Sequence, residues 1–284
     1  MNRRHLIPIT VCFMLWLSGC RPGTKPLDTA TPSPIPFTPV TVFKEPTPSP
    51  VPAPTTMTQW QELSHGLDFL QRYVPVGQTD DWVTTVRFDP RTVSVRVRYA
   101  PATPHSVREW YDALNVDVVI NAGFFTPEKR AAGLIISDGK RYGQTYKGFG
   151  GMFSMRGATP SLQWLARQPY VNDQRITQAV QSFPMLIVNG QIVPNLPDDG
   201  NRSRRSFIGV DRQGRVVLGV CQSAVWTMTD LAKYLANNPF LGLVAALNLD
   251  GGTSTGLWVR GVSEVTLVDS IDTVPEVITV QSGG

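Results

Sequence analysis

The stretch Leu241-Gly242-Leu243-Val244-Ala245-Ala246-Leu247-Asn248-Leu249-Asp250-Gly251-Gly252-Thr253-Ser254-Thr255 decides how this chain is read. Its apolar first half is too short for a buried helix and reads as an interior strand. The end of that strand delivers the Asp250 carboxylate into a turn of two glycines and three hydroxyl residues. Glycine lets the backbone come close to a ligand, and successive N–H groups in such a turn form an anion-binding nest. A plain tight turn, with Asp250 capping its own backbone, fits the same letters. What the motif means therefore depends on what the rest of the chain brings to it.

Upstream, the chain is strand-rich. Trp82, Thr84, Val86 and Phe88 alternate, Asp89-Pro90-Arg91 turns, and Val93, Val95, Val97 and Tyr99 alternate on the way back, with Arg96 and Arg98 on the wet side. This pattern predicts a hairpin. Ser106 with Glu109 is a capping box for a helix whose Val107, Trp110, Tyr111 and Leu114 share one face. Val116 to Ile120 reads as a buried strand ending at Asn121-Ala122-Gly123-Phe124-Phe125. Asp138-Gly139, Asn189-Gly190 and Gln213-Gly214 each signal a hairpin between apolar runs, and Leu257-Trp258-Val259 with Arg260-Gly261 signals another. A second helix is expected over Thr229 to Asn237, ahead of Pro239, and a short one over Gln174 to Gln181. Residues 157 to 173 and 194 to 204 read as loops. Hairpins with two or three interspersed helices predict an α+β domain, a single mixed, hairpin-rich β-sheet with a few helices packed on it.

The first nineteen residues read as a lipoprotein signal peptide. Arg3 and Arg4 precede an apolar core, Leu6 to Leu17, and Leu17-Ser18-Gly19-Cys20 resembles a bacterial lipobox, with cleavage before a lipid-modified Cys20. Acyl chains on Cys20 would anchor the protein to the outer side of the cell membrane without spanning it. Residues 20 to 56 then form a tether. Eleven of positions 21 to 56 are proline, and such a segment in polyproline II reaches roughly 110 Å at about 3.1 Å per residue. Residues 57 to 284 are enough for one well-packed domain.

Composition removes several chemistries. The formal charge of +4 falls to +2 once Arg3 and Arg4 leave with the signal, so no nucleic-acid footprint is indicated. Beyond the signal only His65, His105 and, apart from Cys20, a single cysteine, Cys221, remain. That leaves neither a disulfide framework nor a zinc ligand cluster. No phosphate-binding P-loop is present. Gly252-Thr253-Ser254 superficially matches a subtilisin-type serine turn, but a hairpin follows where a helix is required, and no general-base histidine accompanies it. A carboxylate, an amide, arginines and a glycine turn remain. Guanidinium forks suit phosphate oxygens, and carboxylates serve as acid, base or nucleophile at an anomeric carbon. Sugar or phosphate chemistry follows, without a choice between the two.

Five landmarks occur in order: Ile120-Asn121-Ala122-Gly123-Phe124-Phe125, Gly133-Leu134-Ile135-Ile136-Ser137-Asp138-Gly139, Phe183-Pro184-Met185-Leu186-Ile187-Val188-Asn189-Gly190, Arg205-Ser206-Phe207-Ile208-Gly209-Val210-Asp211-Arg212-Gln213-Gly214 and Asn248-Leu249-Asp250-Gly251-Gly252-Thr253-Ser254. Together they resemble the phosphodiester glycosidase family over about residues 65 to 280. The resemblance implies a mixed-sheet domain that hydrolyses the glycosidic bond of sugar-1-phosphodiesters, on a sugar-phosphate or glycopolymer substrate of the envelope and with no cofactor. It assigns Asp250, Arg205 and Asn121 to catalysis and Asn248, Gly251, Gly252, Thr253 and Ser254 to substrate binding. Arg205 would grip the phosphate, Asp250 would act as nucleophile or base, and Asn121 would hydrogen-bond the sugar. Glu128, Asp211, Asp269 and Glu276 compete as a partner carboxylate. One departure stands out: Cys221-Gln222-Ser223 occupies the place of an Asp-Gly-Arg-like turn. The alternative reading is a non-catalytic lipoprotein that holds a glycan or anionic polymer in the same pocket.

Overall fold

The computed structural model describes residues 56–64, 66–263 and 267–283. The signal peptide, Cys20, almost all of the tether and His65 lie outside the described residues. In chain order the first elements are β1 (Gln61–Ser64), β2 (Leu67–Val76), β3 (Thr79–Phe88), β4 (Val93–Tyr99), α1 (Val107–Leu114) and β5 (Val118–Asn121). The middle of the chain supplies β6 (Ile135–Ser137), β7 (Lys140–Tyr142), β8 (Gly151–Arg156), β9 (Thr159–Trp164), β10 (Gln178–Ser182), β11 (Met185–Val188) and β12 (Gln191–Ile192). It ends with β13 (Ser203–Asp211), β14 (Val216–Trp226), α2 (Met228–Asn237), β15 (Leu243–Asn248), β16 (Leu257–Val259) and β17 (Glu276–Ser282).

These strands form three sheets, ordered β1-β2-β3-β14-β13-β15-β11-β12, β7-β6-β10-β8-β9 and β16-β5-β17-β4. Among the described residues every strand pairing is antiparallel. The expected α+β class with one mixed sheet is therefore wrong: the described residues form a β-rich fold of three antiparallel sheets with two α-helices. The reason is topological. Each helix does lead from one strand to another running the same way, β4 to β5 through α1 and β14 to β15 through α2. In both cases a third strand lies between the pair, antiparallel to each: β17 in the first, β13 in the second. Local sequence shows the crossover but not the strand that fills it.

Burial follows the same plan. The largest core is shared by all three sheets, with Phe69, Val86 and Phe88 meeting Val97, Ile120 and Ile278 and also Ile135, Phe153 and Val180. Because the sheets cover one another, helices are needed only on outer faces. Helix α1 sets Val107 and Trp110 against Val119, Trp258 and Val277. Helix α2 sets Leu231 and Leu235 against Phe207, Val217 and Ala246. Helix α1 carries the expected capping box, Ser106 with Glu109, and α2 carries one the sequence reading did not name, Thr227 with Asp230; each satisfies two otherwise orphaned donors.

The hairpins expected at Asp138-Gly139, Asn189-Gly190 and Gln213-Gly214 form, joining β6 to β7, β11 to β12 and β13 to β14. The one expected at Arg260-Gly261 does not, since among the described residues β16 pairs with β5 and only Leu257 bridges Val268. Other expectations need correction. Asp89 turns the chain, with the Thr92 amide donating to its carbonyl, but β3 and β4 do not pair. They part into the eight-stranded and four-stranded sheets, and each pairs along its whole length with another strand, β3 with β2 and β4 with β17. The segment 174–181 is no helix; its second half is β10, whose Ala179 and Val180 bury on opposite faces at a spacing of one residue. The presumed loop 157–173 contains β9, held against β8.

Candidate active site

Two strands that follow a helix, β5 and β15, end at the same place. The amide of Asp250 donates to the Ala122 carbonyl at 3.0 Å and the Ala122 amide to the Glu276 carbonyl at 3.2 Å, which joins the eight-stranded sheet to the four-stranded one. Asn121 completes the junction. Its side-chain amide donates to the Asp250 carbonyl at 2.6 Å, and its Oδ1 accepts from Ser206 Oγ at 2.7 Å and from the Gly256 amide at 3.1 Å. Every bond the residue makes holds backbone or a buried hydroxyl in place.

Above this junction opens a cleft of about 550 Å³. Arg205, Asn248, Asp250, Gly251, Gly252, Thr253 and Ser254 all line it, together with Phe124, Phe183 and the pair Asp198 and Asp199. Seven of the eight expected site residues of the domain thus converge on one cavity. Asn121 is the exception: it is 1% exposed and lies behind Asp250 rather than on the cleft wall.

Asp250 leaves β15 at the point where the strand stops and a short turn of 3-10 helix, Gly252–Ser254, begins. Its Oδ1 accepts from the Gly251 amide at 2.9 Å, and the Ser254 hydroxyl is a further donor. Burial nevertheless dominates and raises the carboxyl to about 6; Asp272 pushes the same way, against Lys129. The turn demands its glycines. A Cβ on Gly251 would lie 2.8 Å from the Arg204 carbonyl, and Gly252 sits at φ +60°. Thr253 Oγ1 donates to Asp272 at 2.6 Å, fixing the outer edge of the turn.

Arg205 comes from β13, where it opposes Cys221. Its Nε donates to the Trp226 carbonyl at 3.0 Å and its Nη2 to the Asn201 carbonyl at 2.7 Å. The guanidinium is thereby oriented by backbone while Nη1 has no hydrogen bond among the described residues. Burial lowers its pKa from the ordinary arginine value, opposed by Asp198 and Asp199. Its sequence neighbour Arg204 points elsewhere and binds the carbonyls of Thr255 and Asp269 at 2.6 and 2.8 Å. Alternation along the strand is what separates the two roles. Asn248, 1% exposed, donates from Nδ2 to the Phe183 carbonyl at 2.8 Å, and its buried Oδ1 has no partner among the described residues.

The competing carboxylates sort cleanly. Asp211 accepts from the amides of Gln213 and Arg215 within its own hairpin, and Asp269 accepts from the Arg108 amide at the start of α1. Glu128 is an exposed loop residue bonded to Thr126. Of the four, Glu276 alone feels the Asp250 charge. The segment Cys221-Gln222-Ser223 is no turn at all; it continues β14, with Cys221 wholly buried and the Ser223 amide bonded to Asp81. Among the described residues no group of three or more His, Cys, Asp or Glu is arranged to hold a metal.

The family model for phosphodiester glycosidase matches residues 114–281, most of the domain and every element of the cleft. The chain belongs to the phosphodiester glycosidase family. The fold agrees with solved structures of low sequence identity. One is the catalytic domain of zebrafish N-acetylglucosamine-1-phosphodiester α-N-acetylglucosaminidase, auto-inhibited by its pro-peptide: TM-score 0.59, 19% identity, covering 76% of this chain and 83% of that one. Another is a hypothetical protein from Synechocystis, with TM-score 0.62 and 18% identity over 81% of this chain. This chain spans 64% of the length of the Synechocystis protein. No curated protein matches in sequence. Family membership supports a glycosidase-type hydrolase.

Proposed function

We propose that the domain hydrolyses the bond between the anomeric carbon of a sugar and a phosphodiester oxygen, in glycopolymers outside the cytoplasm. The observation that carries this reading is the convergence of Asp250 and Arg205 on one cleft, each oriented by its own backbone contacts. The guanidinium suits a phosphodiester, with one charge to bind and two oxygens to fork. Asp250 suits the anomeric centre, as nucleophile or as the base that takes a proton from water. As the C1–O bond breaks, its electron pair goes to the phosphate oxygen and water supplies the new hydroxyl on C1. The products are a free sugar and a phosphomonoester. Arg205 stabilises the charge that gathers on phosphate, so a strong general acid is dispensable. Asn121 acts by positioning Asp250 and does not touch substrate.

The test is Asp250→Asn against a panel of sugar-1-phosphodiesters. The hydrolase loses turnover on the order of 10²–10⁴-fold while still binding substrate. A glycan-binding protein would show no wild-type turnover on any member of the panel. We further propose export and lipid anchoring at Cys20, on the strength of the basic n-region, the apolar core and the lipobox-like Leu17-Ser18-Gly19-Cys20. No helix among the described residues is long and apolar enough to cross a membrane. Cys20→Ala should release the protein from membranes, and unchanged membrane association would refute the anchor.

A further inference from the structure

Glu276 opens β17 with a carboxyl group that is buried, 1% exposed, and has no hydrogen-bond partner for either oxygen among the described residues. The Gly123 amide faces it without completing a bond, and the fit is tight: a Cβ on Gly123 would come 2.8 Å from Glu276 Oε1. The same Cβ would meet the Gln181 carbonyl of β10 at 2.8 Å, and Tyr146 fills the next space, against Gly133 and Gly150. The titratable groups around the carboxyl are Asp250 from the end of β15, Tyr146 from the segment before β8, and Tyr99, its cross-strand neighbour on β4. None of these is a cation. Lys129, the basic group that acts on Asp250, is engaged by the Thr273 carbonyl at 2.7 Å.

We propose that Glu276 carries a proton in the folded protein at neutral pH and is the neutral member of an electrostatically coupled carboxyl pair beneath the cleft, Asp250 being the charged member that meets substrate. A buried carboxylate loses several kcal/mol of solvation, and around Glu276 only the facing Gly123 amide acts against that loss. Asp250 differs, because the Gly251 amide and the Ser254 hydroxyl solvate its anion. It ionises first, and its charge then holds the proton on Glu276. Burial first, and the Asp250 charge second, push the glutamic acid well above its usual range. Tyr146 answers to the same two carboxyls: burial, Glu276 and Asp250 raise it to about 12. Glu276 is thus a positioning residue. It keeps a second negative charge away from Asp250 and holds a proton within reach of that residue's field. That catalytic role rests on the hydrolase reading; the buried proton does not.

The experiment is Glu276→Gln, which keeps shape and removes ionisation. A carboxyl whose folded pKa lies above its unfolded value of 4.5 stabilises fully below that value, and this contribution is lost as pH rises toward the folded pKa. The variant should therefore match wild type in melting temperature near about pH 4 and exceed it by a margin that grows with pH. In turnover, the acid limb set by Asp250 should stay, and the alkaline limb should move up or vanish. A uniform loss of stability with no pH trend would overturn the proposal, since it would mean an ionised Glu276 held by a bound cation. Infrared spectroscopy of the wild-type protein decides the matter if the variant does not fold. With isotope-labelled glutamate, a protonated carboxylic C=O band at neutral pH supports the proposal, and its absence refutes it. Both readouts stand even if no hydrolysis is ever detected, so failure of this inference and failure of the hydrolase reading are distinguishable.

Discussion

The side-chain amide of Asn121 donates to the backbone carbonyl of Asp250 at 2.6 Å, tying the end of β5 to the end of β15 across two sheets. The same residue's Oδ1 accepts from Ser206 and Gly256. Removing it strands a buried hydroxyl, a buried amide and a carbonyl at once. Each orphaned group costs about 1–3 kcal/mol. Asn121→Ala should lower stability by about 3–5 kcal/mol in urea unfolding, whereas Ser206→Ala, which loses one bond, should cost about 1 kcal/mol. Equal effects of the two substitutions would show that Asn121 is not the hub.

Asp250 predicts an acid limb. With its carboxyl raised to about 6 by burial, hydrolysis by the anion should fall as pH drops through that value. Stability runs the other way. The folded pKa lies above the unfolded 3.8, so the protonated group stabilises below that pH and the contribution is lost as pH rises through about 6. Asp250→Asn should therefore gain stability at pH 8 on the order of 2 kcal/mol relative to its effect at pH 3. Paired pH–rate and pH–melting curves check both signs.

Arg205 is oriented by the carbonyls of Trp226 and Asn201. Lysine cannot reproduce two anchored donors and a free fork. Arg205→Lys and Arg205→Ala should both reduce kcat/KM for phosphodiesters, by roughly 10²-fold or more. Neither should matter for binding an uncharged glycan fragment by calorimetry. A fully active lysine variant would remove Arg205 from the phosphate site.

The turn itself can be tested with one methyl group. Gly251→Ala places a carbon 2.8 Å from the Arg204 carbonyl, which is backbone and cannot swing away. The expected result is lost turnover with the protein still folded, since the clash displaces the loop that carries Asp250. Alanine at Gly139, where a Cβ meets nothing within 4 Å, is the control: its φ of +81° costs stability, but it should leave turnover alone.

Much of the site was legible because its chemistry is local. The run from Asn248 to Ser254 places six of the cleft residues together, whereas Arg205 was named only through the family resemblance; the alternation that separates it from Arg204 is visible in the fold alone. Asn121 was read as sugar-facing because a strand-end amide looks the same whether it bonds ligand or backbone. Glu276 could be named only as one of four candidates. Its significance arises from β17 lying next to β5, a pairing between distant segments that no local pattern announces. The sheet class failed for the same reason: β17 and β13 enter gaps that the crossovers through α1 and α2 leave open. The short-range signals fared better: the Ser106 capping box and three of the four glycine hairpin turns formed.

Strand β17 enters its sheet between segments made long before it, with Thr279 bonding to Arg96 across 183 residues. The four-stranded sheet, and the glutamate beneath the cleft, therefore cannot assemble until nearly the whole domain has emerged. Long loop closures of this kind fold slowly. For a polypeptide that we propose to be threaded through a membrane before folding, that delay would keep the nascent chain pliable in transit and leave the Asp250 cleft unfinished until β17 is in place.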